Sequence, residues 1–167
     1  MQINAAQQLK EPIGSTRDYE VDDVVDIANG GCQFKGKVRL IRTNRGILAK
    51  GRMHTEVAIA CSRCLDLFSY PLTLDIEEEY FPVTDVVSGS RLPLPDEPGC
   101  FIIDEHHILD LTEAIRQYAL LAVPMKPLCR QDCAGLCSIC GKDLNQGPCG
   151  CLHQETDPRW SKLKELT

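Results

Sequence analysis

The sequence predicts an α+β fold: an antiparallel β-sheet with one packed helix, followed by a cysteine-rich zinc-binding C-terminal tail. Three observations predict it. Residues 32–61 and 67–81 alternate apolar and polar side chains, residues 110–124 carry one apolar stripe at helical spacing, and residues 129–151 hold six cysteines. The first pattern is the period of a half-buried strand and the second that of an amphipathic helix. Clustered thiols in a chain of this kind point to metal.

From Cys32, Phe34, Val38 and Leu40 fall on one side, with Lys35, Lys37, Arg39 and Ile41 on the other. Thr43-Asn-Arg-Gly46 supplies a turn, and the next run sends Ile47, Ala49, Met53, Val57 and Ile59 inward with Lys50, Arg52 and His54 outward. Residues 32–61 are therefore expected to form a hairpin with a basic outer face. In a third run, Leu72, Leu74 and Ile76 share a parity with Tyr70 and Tyr80. Residues 82–105, with Pro82, Pro93, Pro95, Pro98, Gly89, Gly99 and clustered acids, read as a long acidic loop. A helix is expected over residues 111–122, opened by a capping box between Asp110 and Glu113 and closed by Pro124. Asp157 and Pro158 announce a short C-terminal helix. The expected division is a β-rich core, residues 1–123, and a zinc-binding tail, residues 124–167.

With 43% apolar residues, no apolar run long enough to span a bilayer, and no basic-then-apolar leader, the chain reads as soluble and cytoplasmic. In a reducing compartment its ten cysteines stay free of disulfides, and metal ligation leads. Cys32 and Cys100, alone in apolar surroundings, read as packing thiols. The net charge of −6 conceals a strongly polar distribution: residues 34–63 carry eight Lys and Arg against one acid, whereas residues 64–113 carry twelve acids against one base. Such asymmetry bears on partners rather than on fold.

Six thiols in the tail exceed one four-thiolate site, but with Cys61-Ser-Arg-Cys64 they make eight, enough for two. Cys137, Cys140, Cys149 and Cys151 enclose a short polar segment and form one group, which leaves Cys61, Cys64, Cys129 and Cys133 as the other. A contiguous site of Cys129, Cys133, Cys137 and Cys140 is the competing grouping. The spacing Cys133-x3-Cys137-x2-Cys140 also occurs in radical enzymes that hold a four-iron cluster, but only 27 residues follow Cys140, far too few for their barrel. Nucleotide-binding and hydrolase motifs are absent. Asp104-Glu-His-His107 reads as a loop rather than a nuclease centre, and Glu77-Glu-Glu79 as a charged strand edge. The basic face of Lys35, Lys37, Arg39, Arg42, Arg45, Lys50, Arg52 and Arg63 is a candidate RNA-phosphate contact with few aromatics to stack on bases.

Taken in order, CSRC, EEEYFP, ILDLTEAIRQYALLAVPMKPLC, DCAGLCSICGKDLN, CGC and DPRW resemble the YceD family of large ribosomal RNA subunit accumulation proteins. That resemblance implies a non-enzymatic ribosome biogenesis factor for accumulation or processing of large-subunit (23S) ribosomal RNA. It implies no catalytic residue and no small-molecule substrate, and it favours placing Cys61 and Cys64 with Cys129 and Cys133. The expected partner is precursor large-subunit RNA or a large-subunit ribosomal protein, the second held by the acidic block in an alternative, adaptor reading. Two structural Zn2+ ions are the expected cofactors.

Overall fold

The computed structural model describes residues 1–27, 30–96 and 98–151. The helix expected from Asp157 lies outside them. The chain divides into two compact units: Met1–Ile59 with Phe68–Met125, and Ala60–Leu67 with the chain from Lys126 onward.

The first unit is built on one sheet. Among the described residues its strands are β1 (Gln2–Asn4), β2 (Thr16–Ile27), β3 (Gly30–Arg42), β4 (Ile47–Ala60), β5 (Leu67–Pro82), β6 (Phe101–Ile103) and β7 (Ile108–Asp110). They lie in the order β1-β7-β6-β5-β4-β3-β2. A single turn of helix, α1 (Ala6–Leu9), precedes β2, and the main helix, α2 (Thr112–Ala122), follows β7.

The sheet is mixed, which corrects the expected antiparallel class. β5 and β6 run parallel, with Tyr80 opposite Phe101 and Pro82 opposite Ile103. Between them the chain passes through residues 83–100 and re-enters the sheet in its original direction, as a parallel pair requires of its long connection. The expected acidic loop therefore ends in a strand. Within it Asp85 accepts from the amides of Val87 and Ser88, and Thr84 bridges to Arg91. Phe101 returns to stack on Tyr80 with ring centroids 5.2 Å apart.

The alternation read from the sequence has the expected consequence in β3 and β4. Phe34, Leu40, Ile47, Ala49 and Met53 are fully buried, and Leu74, Tyr80, Ile103 and Leu109 join them in one core. Burying an aliphatic side chain of this size contributes roughly 1.5–3 kcal/mol relative to leaving it exposed. α2 packs on this core through Ala114, Ile115 and Ala119, with Leu111 at its start. Asp110 accepts from the Thr112 amide at 2.8 Å, but Glu113 does not complete a capping box. It turns forward to Arg116 and Gln117 instead, and Arg116 holds its carboxyl down to about 2.

Glycine is needed where backbones approach. A Cβ at Gly46, in the β3–β4 turn, would stand 2.0 Å from the Tyr80 carbonyl, and one at Gly36 would stand 2.1 Å from the Arg52 carbonyl. No described helix is long and apolar enough to cross a membrane.

Candidate metal centres and the charged sheet face

In the second unit, the Cys61, Cys64, Cys129 and Cys133 sulfurs lie within 4.8 Å of one another, as do those of Cys137, Cys140, Cys149 and Cys151. Cys61 to Cys133 measures 3.8 Å, Cys64 to Cys129 3.7 Å and Cys137 to Cys149 3.3 Å. A disulfide would bring sulfurs to roughly 2.05 Å. Four thiolates at about 2.3 Å from a tetrahedral ion stand roughly 3.8 Å apart. The geometry fits a Zn2+ ion in each group.

Both C-x-x-C segments form the same turn. The Arg63 amide donates to Cys61 Sγ and the Ile139 amide to Cys137 Sγ, each at 3.4 Å. The Leu65 amide returns to the Cys61 carbonyl and the Gly141 amide to that of Cys137. After Cys140 the turn needs a left-handed residue, and Gly141 takes φ 72° without strain. After Cys64 the same position is held by Leu65 at φ 64°. A left-handed non-glycine costs about 1–2 kcal/mol and persists where its surroundings fix it.

These amides set the thiol chemistry. The backbone amides of Cys64 and Cys129, with that of Arg63, bring Cys61 down to about 6, against the opposing effect of burial. The amides of Cys140 and Ile139 bring Cys137 to about 6. The Asp66 amide pulls Cys64 down, but burial and its neighbouring thiols outweigh it and push it up to about 12. Cys151 is pushed up to about 12 by the Cys140 thiol and by burial. Without a cation, then, one thiolate suppresses ionisation of its neighbours. A divalent ion reverses that repulsion and displaces their protons.

Two residues outside the thiols hold the first group. Asn145 donates Nδ2 to Cys133 Sγ at 3.5 Å and accepts from the Ala134 amide, while Arg63 donates to the Cys133 carbonyl at 2.9 Å. The role of Asn145 is missed by sequence reasoning. Its signal is the Asp143-Leu-Asn145 segment, where the Asp143 carboxylate accepts from the Asn145 amide and side chain and fixes its direction.

The structure divides the eight basic candidates. Lys35, Lys37, Arg39, Lys50 and Arg52 share one exposed face of β3 and β4. Arg42 has the opposite parity and donates to the carbonyls of Leu9, Thr43 and Gly46, bracing the turn. Arg45 lies over the Phe81 ring at 4.7 Å. Arg63 belongs to the second unit, at the first thiol group.

Strand order adds what the basic block alone did not reveal. β2 sets Asp18, Glu20 and Asp22 opposite Arg39, Lys37 and Lys35, and all three pairs close as ion pairs. On the other flank, β5 gives Glu77 to Lys50 and Asp75 to Arg52, both at 2.6 Å. Across the face the strands thus run acidic, basic, basic, acidic.

The profile of the family described as large ribosomal RNA subunit accumulation protein YceD matches residues 49–167, which include all eight clustered cysteines, α2 and β5 to β7. The chain belongs to the YceD family. YceD similarity over this span leaves β1 to β3 outside the match. Uncharacterized proteins of Mycobacterium tuberculosis and Mycobacterium bovis are each 33% identical over 129 residues, 77% of this chain and 59% of their own length. One from Mycobacterium leprae is 28% identical over 137 residues, 81% of this chain and 60% of its own. The chain thus spans about three-fifths of the length of these curated relatives. No solved structure is significantly similar to this YceD chain.

Proposed function

We propose that this YceD protein is a non-enzymatic factor of ribosome biogenesis, acting in the cytoplasm in accumulation or processing of large-subunit ribosomal RNA. The observation that carries the proposal is family membership over residues 49–167. In this reading Cys61, Cys64, Cys129 and Cys133 hold one structural Zn2+ and Cys137, Cys140, Cys149 and Cys151 a second. Four thiolates fill a tetrahedral ion and leave no position for water or substrate, which favours a structural over a catalytic metal.

The RNA contact is assigned to Lys35, Lys37, Arg39, Lys50 and Arg52, with precursor large-subunit RNA as the partner. Arg42, Arg45 and Arg63 are set aside because they lie off that exposed face: Arg42 has the opposite parity, Arg45 is in the β3–β4 turn and Arg63 belongs to the second unit. Nuclease chemistry at residues 104–107 is disfavoured by the local geometry. Asp104 accepts from the amides of His106 and Ile108 at 2.9 and 2.7 Å and so shapes the β6–β7 turn. An adaptor that captures a basic ribosomal protein through the acidic block is also less well supported. Of its clustered acids, Glu78 and Glu79 are half-buried and accept from Tyr118 and Thr43, which leaves them poorly placed to meet a partner.

In a strain lacking the protein, wild type is expected to restore large-subunit RNA, whereas Lys37→Glu/Arg39→Glu/Arg52→Glu leaves its precursors unprocessed. Quantifying precursor and mature RNA decides this. A folded triple variant that restores mature RNA fully would remove the RNA contact from the proposal.

A further inference from the structure

Resting on that RNA-contact reading, a finer feature concerns how the basic strands are held. β3 and β4 place Lys37 directly opposite Arg52, and Arg39 directly opposite Lys50. Like charges facing each other across an antiparallel pair are destabilising, and here the flanking acids Glu20, Asp18, Glu77 and Asp75 offset them. The four cations border a surface concavity of about 590 Å³ that also includes Gly51, Asp18 and Asp75.

The flanking acids occupy those cations in the manner of a phosphate. Asp18 accepts from Arg39 Nε at 2.6 Å and Nη2 at 3.0 Å, one carboxylate oxygen to each nitrogen. Asp75 accepts from Arg52 Nε at 2.6 Å. A guanidinium fork takes carboxylate and phosphate oxygens with the same two-point geometry. Side-chain exposure in these two pairs is 58% or more, so neither carboxylate is locked in place and solvent or a ligand reaches both partners.

We infer that the Lys37, Arg39, Lys50 and Arg52 quartet is a phosphodiester site with a built-in competitor, in which RNA binds by displacing Asp18 and Asp75 from the two guanidiniums. Glu20 and Glu77, paired with Lys37 and Lys50, act in the same sense. Because every phosphate contact first breaks an internal ion pair, affinity is held below what the cations alone would give. The contact is correspondingly easy to release.

The test compares Asp18→Asn/Asp75→Asn with Asp96→Asn/Glu105→Gln, which removes the same charge from two exposed acids outside the quartet. Binding of a large-subunit ribosomal RNA transcript is measured across a salt series. The first variant is expected to bind roughly tenfold more tightly than the second near 0.1 M salt, with a plot of log affinity against log salt steeper by about 1–2. Asp18→Asn and Asp75→Asn alone should each give part of that gain, which guards against a fault peculiar to the double variant. If Lys37→Glu/Arg39→Glu/Arg52→Glu weakens binding but Asp18→Asn/Asp75→Asn gains nothing over the control, the competitor is disproved and the RNA contact stands. Binding indifferent to the charge reversal would overturn both.

Discussion

Stripping metal with a strong chelator is expected to unfold residues 61–66 and 126–151 while leaving the sheet folded. Among the described residues of that second unit, the buried side chains are all thiols: Cys61, Cys64, Cys133 and Cys137. Leu65, Leu67 and Ile139 are exposed. The unit's backbone bonds, such as Leu136 to Arg63 and Leu144 to Gly135, link turns rather than long ladders. The sheet, by contrast, has an apolar core of its own. Hydrogen exchange followed by mass spectrometry should show the amides of Leu65, Leu136 and Gly141 losing protection on chelation, with those of β3 and β4 unchanged. Protection retained throughout would mean that the thiols pack well enough without an ion.

The second large effect belongs to the sheet. Phe34→Ala is expected to destabilise the first unit by about 3–5 kcal/mol, because it removes a fully buried aromatic ring and the surrounding core closes the cavity only in part. Phe34 lies on β3, and its core includes Leu40, Met53, Leu74 and α2's Ile115. Denaturant unfolding monitored by circular dichroism measures the loss. A change below about 1 kcal/mol would place Phe34 at a site that collapses freely, contrary to the close packing expected of a core.

How much of this was legible in the sequence depended on length and periodicity. β3, β4 and β5 each run 13 residues or more with clean alternation, and α2 carries a full apolar stripe, so period alone finds them. β1, β6 and β7 have three residues each, too few for any period to show. β2 was missed for another reason. Its inward parity holds Tyr19, Val21 and Val25, but Asp23 sits on the same parity and is exposed, which breaks the pattern midway. The parallel pairing of β5 with β6 joins segments separated by a long loop, and nothing local encodes it.

The site divides in the same way. Thiol spacing marks the cysteines, since C-x-x-C fixes a local turn, and the eight sulfurs stand in two groups of four. Charge counting finds the basic strands but not their neutralisation. Asp18 and Asp75 reach Arg39 and Arg52 only because β2 and β5 flank β3 and β4, and that depends on strand order. Leu65 in a left-handed turn is equally silent, because the chain there lacks the glycine that marks its counterpart, Gly141.

Native mass spectrometry of the intact protein, combined with thiol alkylation, tests the division into two independent metal sites most directly. Wild type should carry two Zn2+ ions, one for each group of four cysteines. Cys129→Ser should carry one, with Cys137, Cys140, Cys149 and Cys151 still protected from alkylation and Cys61 and Cys64 exposed to it. Loss of protection at Cys137 and Cys140 in Cys129→Ser, with Cys61 and Cys64 still metal-bound, would contradict it.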